Sequence, residues 1–323
     1  MKPHLKQQGM ALIMLMFIVG LAATSYLLHA LNPDVMRIEQ DKKTAVIMAE
    51  AKAALIGRAV KDSNRPGSLP CPDGNGDGSA DLFSGPYCPT YIGRYPWKTL
   101  GTGMLRDGYG ETLWYALSSN YRDNPPINGS LEGELSVDGV GDMVAVIFSA
   151  GPALGVQTTR PSNSVADYLE GENSNGDGLY SNVIDQNKND KLLAISRTEL
   201  MRSVEKLVLG EAVNVLTEYY THPAHPFFPY PASESDGECD TLLLNTGYIP
   251  ITGSMSNCPH QLPNMPAWFT ANAWSSRVHY EVATACVKAT PNCGGTGYIT
   301  DGAFTDVRVR LVSVGSGQKR IIR

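Results

Sequence analysis

Residues 11–31 read ALIMLMFIVGLAATSYLLHAL and follow a short basic leader, MKPHLKQQG, that carries Lys2 and Lys6. No Asp, Glu, Lys or Arg occurs after Gly9 until Asp34. A helix of this length and composition is expected to cross a hydrocarbon core of about 30 Å. The run is too long for the apolar core of an ordinary secretory signal, and no small-x-small cleavage site follows it. The abrupt change in character lies instead between Gly9 and Met10, on the basic side of the run. Leader lysines on the cytoplasmic side assign the bulk of the chain to the opposite face of the membrane.

The order Lys6-Gln7-Gln8-Gly9, with Met10 opening an apolar stem, resembles the class III leader of type IV pilins and pseudopilins. The resemblance covers roughly the first sixty residues. It implies that a prepilin peptidase cuts after Gly9 and methylates the new amino terminus at Met10. It also implies that the stem is held in the inner membrane before packing with other pilin or pseudopilin subunits in a filament core. Most members of that family carry Glu five residues into the mature chain, where this sequence has Met14. That Glu normally pairs with the terminal amine of a neighbouring subunit. Its absence, shared with large tip pseudopilins and some minor pilins, points to a tip or minor position.

Pro33 is expected to kink the helix or interrupt one backbone bond, and residues 34–60 read as helix again. Val46, Ala49, Ala53, Ile56 and Val60 fall on one stripe. A continuous helix from Met10 to Val60 would extend about 75 Å at 1.5 Å per residue. Such a spine, its second half laid on a sheet, matches the architecture that the resemblance implies.

The chain has 323 residues and a net charge of −6, with 42% apolar residues, enough for a packed body beyond the stem. No Lys/Arg cluster occurs beyond the tail residues Lys319, Arg320 and Arg323, which argues against a nucleic-acid partner. From Ser63 onward Gly, Pro, Asn and Asp separate short apolar runs. Residues 113–117 (LWYAL) and 143–148 (MVAVIF) read as strands. Residues 198–220 read as a helix, with Ser196 and Glu199 as a capping box and Leu200, Val204, Leu207 and Leu216 as its apolar stripe.

The order of these pieces suggests an internal duplication. A helix at 49–60, a Pro-rich turn, two cysteines and two strands are echoed by a helix at 211–220, a second Pro-rich turn, two cysteines and strands at 277–283 and 307–314. Ile92-Gly93-Arg94-Tyr95-Pro96 is echoed by Gly247-Tyr248-Ile249-Pro250. Six cysteines allow about 15 connectivities. The duplication selects Cys71–Cys88 and Cys239–Cys258, leaving Cys286–Cys293. Disulfides agree with an oxidising compartment, and no C-x-x-C zinc motif is present.

Two loops carry oxygen ligands at alternating positions. In the first, Asp73, Asn75, Asp77, Ser79 and Asp81 match the front of a calcium loop, with Gly78 at its bend. Ser84 stands where the closing Glu belongs, and an Asx-rich turn stapled by Cys71 is the other reading. In the second, Asn173, Asn175 and Asp177 lack a carboxylate at the first position, and a polar turn is the favoured reading. His222 and His225 could join a metal only with Asp236 or His260, and Pro223 and Pro226 forbid the helix that would aim them together. Nucleophile elbow, Walker loop and H-E-x-x-H motifs are all missing, so catalysis is not expected.

The expected protein is therefore α+β. It has a leader at 1–9, a transmembrane helix at 10–31 and a spine continuation at 32–60. Two disulfide-stapled, antiparallel-sheet head domains follow at 61–195 and 196–323. It is expected in the inner membrane, with its bulk periplasmic or carried on a filament tip. Its expected role is a non-catalytic minor or tip subunit of a type IV pilus or type II secretion pseudopilus, with structural calcium. A tip adhesin, or a signal-anchored periplasmic protein unrelated to filaments, are the alternatives.

Overall fold

The computed structural model describes residues 8–30, 33–122, 126–155, 157–234, 245–251 and 262–323. Two helices open the chain: α1, Gln8–Ala30, and α2, Pro33–Val60. The described side chains of α1 at 12–26 are all exposed, Phe17 to 71%. In α2 one face is buried through Thr44, Met48, Ala51, Leu55 and Ala59, which recur every three or four residues and so share one side of a helix. A short helix α3 (Trp97–Leu100) follows, then the long α4 (Arg197–Thr221) and the short α5 (Ala267–Ala271).

Six strands make a curled first sheet: β1 (Ile92–Arg94), β2 (Trp114–Leu117), β3 (Leu135–Val137), β4 (Val140–Ser149), β5 (Leu179–Tyr180) and β6 (Lys191–Ser196). They run in the order β1-β2-β4-β3-β5, with β6 also paired to β4. Alternate residues face opposite sides. Tyr115, Leu117, Ala145 and Ile147 enter the main core with α2 and α4. Trp114, Ala116, Val146 and Phe148 build a second core beneath the segment that carries Tyr168 and Tyr180. Burial on both faces is why β2 reads as an unbroken apolar run.

The second half contributes β7 (Thr246–Tyr248), β8 (Val278–Val282), a hairpin of β9 (Ile299–Asp301) with β10 (Phe304–Val307), β11 (Val309–Ser313) and β12 (Lys319–Ile322). The second sheet has the order β12-β11-β8-β7 and is antiparallel throughout. Val278, Tyr280, Val282, Val309 and Leu311 point inward from it. Helix α4 touches β4 and β6 of the first sheet as well as β11 and β12 of the second.

The duplication is visible in this topology. The path β1-β2-β4-β6 after α2 repeats as β7-β8-β11-β12 after α4. Gly93 pairs with Tyr115, and Gly247 with Tyr280. The Tyr115 hydroxyl donates to the Pro70 carbonyl at 3.2 Å, and the Tyr280 hydroxyl to that of Pro229 at 2.8 Å. Asp73 exchanges two backbone bonds with Arg94, as Ala232 does with Tyr248. A Cβ on Gly93 would lie 2.9 Å from the Asp73 carbonyl oxygen, and one on Gly247 2.1 Å from that of Ala232. Both units thus begin with a Pro-x-Pro segment (70–72 and 229–231) pressed onto a glycine of the edge strand.

Four expectations are corrected here. Among the described residues no helix is long and apolar enough to cross a membrane, so the transmembrane helix does not stand. The expected spine is described as two helices, α1 and α2, and residues 31 and 32 between them lie outside the described residues. In place of two pilin-like heads, one core joins Met48 and Leu55 of α2, Ile147 of the first sheet, Val208 and Leu216 of α4 and Leu311 of the second sheet. The stripe expected on α2 is also displaced, because Val46 is 66% exposed and the buried side runs through Thr44 and Ala51.

Candidate functional site

Residues 73–81 form a loop set into the edge of the first sheet. Asp73 is buried, and its carboxylate closes the loop: Gly76 N–H donates to Oδ1 and Gly78 N–H to Oδ2, both at 2.7 Å. Burial pushes the Asp73 carboxyl above the ordinary carboxylate range, against the pull of these two bonds, and the Asp77 charge adds to the rise. Asp77 is exposed and held low by Ser79 N–H, which donates to Oδ1 at 2.7 Å. Asn75 accepts from Asp77 N–H at 2.9 Å, and Asp81 accepts from Gly74 N–H at 3.2 Å. Gly78 has φ +88°, and a Cβ there would lie 2.4 Å from the Trp97 ring. Glycine is required at that position both by conformation and by space. The loop is stapled by Cys71–Cys88, with Cα atoms 5.6 Å apart.

The five oxygen-bearing residues expected there do lie in one short loop. Its carboxylates are nevertheless turned onto the loop's own amides. Among the described residues no group of three or more His, Cys, Asp or Glu is arranged to hold a metal. A cation at this loop would therefore draw on carbonyl and amide oxygens beside Asp73 and Asp77, a donor mixture that suits calcium better than transition metals.

Beside the loop lies an open cleft of about 360 Å³, lined by Asp73, Arg94, Trp97, Arg106, Ser162 and Asn163 among others. The Arg94 guanidinium lies 4.9 Å from the Trp114 ring and 4.8 Å from the Tyr168 ring, the distances of cation–π contact. It also donates to the Thr112 hydroxyl and the Ser162 carbonyl. Asn163 donates to the Asn75 carbonyl at 2.7 Å, tying the loop to the segment between β4 and β6. The cleft offers donors to a polar ligand. Its buried Asp73 carboxylate accepts one backbone bond on each oxygen.

The second loop is built differently. Asn173 is buried: its Oδ1 accepts from Ser181 N–H at 2.9 Å, and its Nδ2 donates to the Ser181 carbonyl and to Asp190 Oδ2, each at 3.0 Å. Asn175 and Asp177 are exposed and bond to one another, Nδ2 to Oδ2 at 2.9 Å. The three residues serve the turn in two separate directions, which is the polar-turn arrangement.

Sequence reasoning missed the group behind that turn. Glu170 and Asp190 are both buried and adjacent. Glu170 accepts from Gln157 Nε2 at 2.7 Å and from Asn189 N–H at 3.0 Å. Asp190 Oδ2 also accepts from Glu170 N–H at 2.8 Å, while Oδ1 is buried without a hydrogen-bond partner. Partners so scattered along the chain leave no local motif.

Cys286–Cys293 is formed as expected, with Cα atoms 4.1 Å apart, whereas Cys239 and Cys258 lie outside the described residues. His225 stacks on Tyr219 at 4.6 Å, and His222 Nδ1 accepts from Ala224 N–H at 3.2 Å. Asp236 and His260 lie outside the described residues. Gly9 and Met10, the expected cleavage pair, fall in the first turn of α1. Compared with protein-family models, curated proteins and solved structures, the chain matches none.

Proposed function

We propose that this chain is a non-catalytic minor or tip subunit of a filament of the type IV pilus or type II secretion pseudopilus class, processed by a prepilin peptidase and assembled through α1. The observation that carries the reading is α1 itself. Its side chains at 12–26 are apolar almost all round and exposed. An apolar helix left in water forgoes roughly 25 cal/mol for each Å² that could be covered, so such a helix is normally buried. Like helices of neighbouring subunits provide that cover in a filament. Met14, 64% exposed on α1, offers no carboxylate to a neighbour's terminal amine, which favours the tip. The disulfides Cys71–Cys88 and Cys286–Cys293 support a head that works outside the reducing cytosol.

The test is the amino-terminal mass of the protein from its own host, beside a Gly9→Ala variant. A mature chain beginning at N-methylated Met10, absent from the variant, is expected. An intact Met1 terminus in the unaltered protein overturns the reading.

Calcium at the 73–81 loop belongs to the same proposal. The buried Asp73 and its neighbour Asp77 repel one another, and a divalent cation there would offset that repulsion. Micromolar to millimolar calcium is expected to raise the unfolding midpoint reversibly, and Asp77→Asn to weaken the effect. A midpoint indifferent to calcium and chelator removes the ion and leaves a loop closed by its own backbone.

A further inference from the structure

The segment between β4 and β6 covers the outer face of the first sheet, placing Tyr168 against Trp114 at 5.2 Å and Tyr180 against Phe148 at 5.0 Å. Its fixed point is the pair Glu170 and Asp190. Between them, these carboxyls accept from Gln157 Nε2, Asn189 N–H, Glu170 N–H and Asn173 Nδ2. Every donor comes from the covering segment itself. One position is left over, Asp190 Oδ1, buried and without a partner, although the neighbouring Glu170 carboxyl lies within side-chain hydrogen-bonding reach. Two ionised carboxylates at such range repel strongly, and a buried acceptor with no donor is costly. A hydrogen on Oδ1 removes both defects at once.

We propose that Glu170 and Asp190 share a single proton and so form a clasp that holds the segment between β4 and β6 over the first sheet at low and neutral pH and loosens it in alkali. Burial first, and then the Glu170 charge, push the Asp190 carboxyl up to about 8. The pair titrates as a unit. Several other charged groups of the segment have partners of their own. Arg160 donates to Gln157 Oε1 at 2.6 Å and lies 3.7 Å from Glu111. Lys188 lies over Gly171, Asp138 accepts from Ser181 and Asn182, and Lys191 pairs with Asp41. In the unfolded chain Asp190 returns to 3.8, so between about 4 and about 8 the folded state holds a proton that the unfolded state does not. The stabilisation is complete below the unfolded value and is lost as pH rises through the folded one. Over that window the folding constant falls by up to about tenfold per pH unit.

The experiment is thermal or urea unfolding of the full-length chain from about pH 5 to about pH 9, beside Asp190→Asn, with the infrared spectrum recorded in parallel. The amide of Asp190→Asn accepts at Oδ1 and donates from Nδ2 toward Glu170, so it imitates the protonated pair permanently. Wild type is expected to lose stability toward high pH and to show a protonated-carboxyl C=O stretch at neutral pH. In the variant the slope should flatten and that band should disappear. Glu170→Gln, neutral at the other member, should also flatten the slope and serves if the first variant fails to fold. An unchanged slope in a folded variant, or no protonated-carboxyl band in the wild type, overturns the proposal. So does a slope that vanishes on adding calcium, which would make the pair a cation site.

Discussion

At the scale of single residues, Gly78 and Asp73 depend on each other. The glycine turns at φ +88° so that its amide meets the buried carboxylate at 2.7 Å, and its missing Cβ leaves room for Trp97. Gly78→Ala must therefore strain the backbone and move an indole together. It should cost about 1–3 kcal/mol, read from the urea midpoint at unchanged slope. Asp73→Ala should cost at least as much, because it leaves the amides of Gly76 and Gly78 without an acceptor inside the loop. Asp73→Asn keeps one acceptor and should fall between wild type and Ala.

At the scale of elements, α4 begins where local chemistry says it should. Ser196 is its N-cap and accepts from Glu199 N–H at 3.2 Å. Ser196→Ala should lower stability by about 1 kcal/mol. The repeated glycine makes a sharper prediction. Gly247→Ala brings a methyl to 2.1 Å from a carbonyl oxygen, a closer clash than the 2.9 Å at Gly93, so the second unit should suffer the larger loss. These features were legible because a cap, a Pro-x-Pro turn and a strand each declare themselves within a few residues. The buried face of α2 was not. Apolar residues surround that helix from 44 to 60, and the side chosen is the one where Ala51 and Ala59 let it approach the sheet. Nor could Glu170 find Asp190, or Arg94 its place between Trp114 and Tyr168, since each meeting is made by the fold and not by the spacing.

At the scale of the whole molecule, the duplication does not yield two separable bodies. Helix α4 is buried through Leu200, Val204 and Val208 as well as Met201, Ala212 and Tyr219, a wide arc that serves both sheets. Lys52 of α2 pairs with Glu199 of α4 at 2.6 Å and donates to the Ala194 carbonyl at 2.9 Å, drawing the two helices to the same strand. The head should therefore unfold in one cooperative transition, with coincident fluorescence and circular-dichroism midpoints. A chain divided after residue 195 should give fragments without native near-ultraviolet signal. Two resolved transitions would show independent units after all.

The position of α4 also sets an order in time. It is synthesised before β11 and β12, the two strands of the second sheet that cover it. Until Leu311 and the residues after it emerge, one flank of α4 stays bare, and β8 lacks the strand that pairs it on that side. A nascent chain halted short of β11 presents both a greasy helix and an open strand edge, the two surfaces that holding chaperones bind and proteases sample. The surfaces at risk are thus closed by β11 and β12 together, and the loss of β12 alone would leave β11 as an unprotected edge.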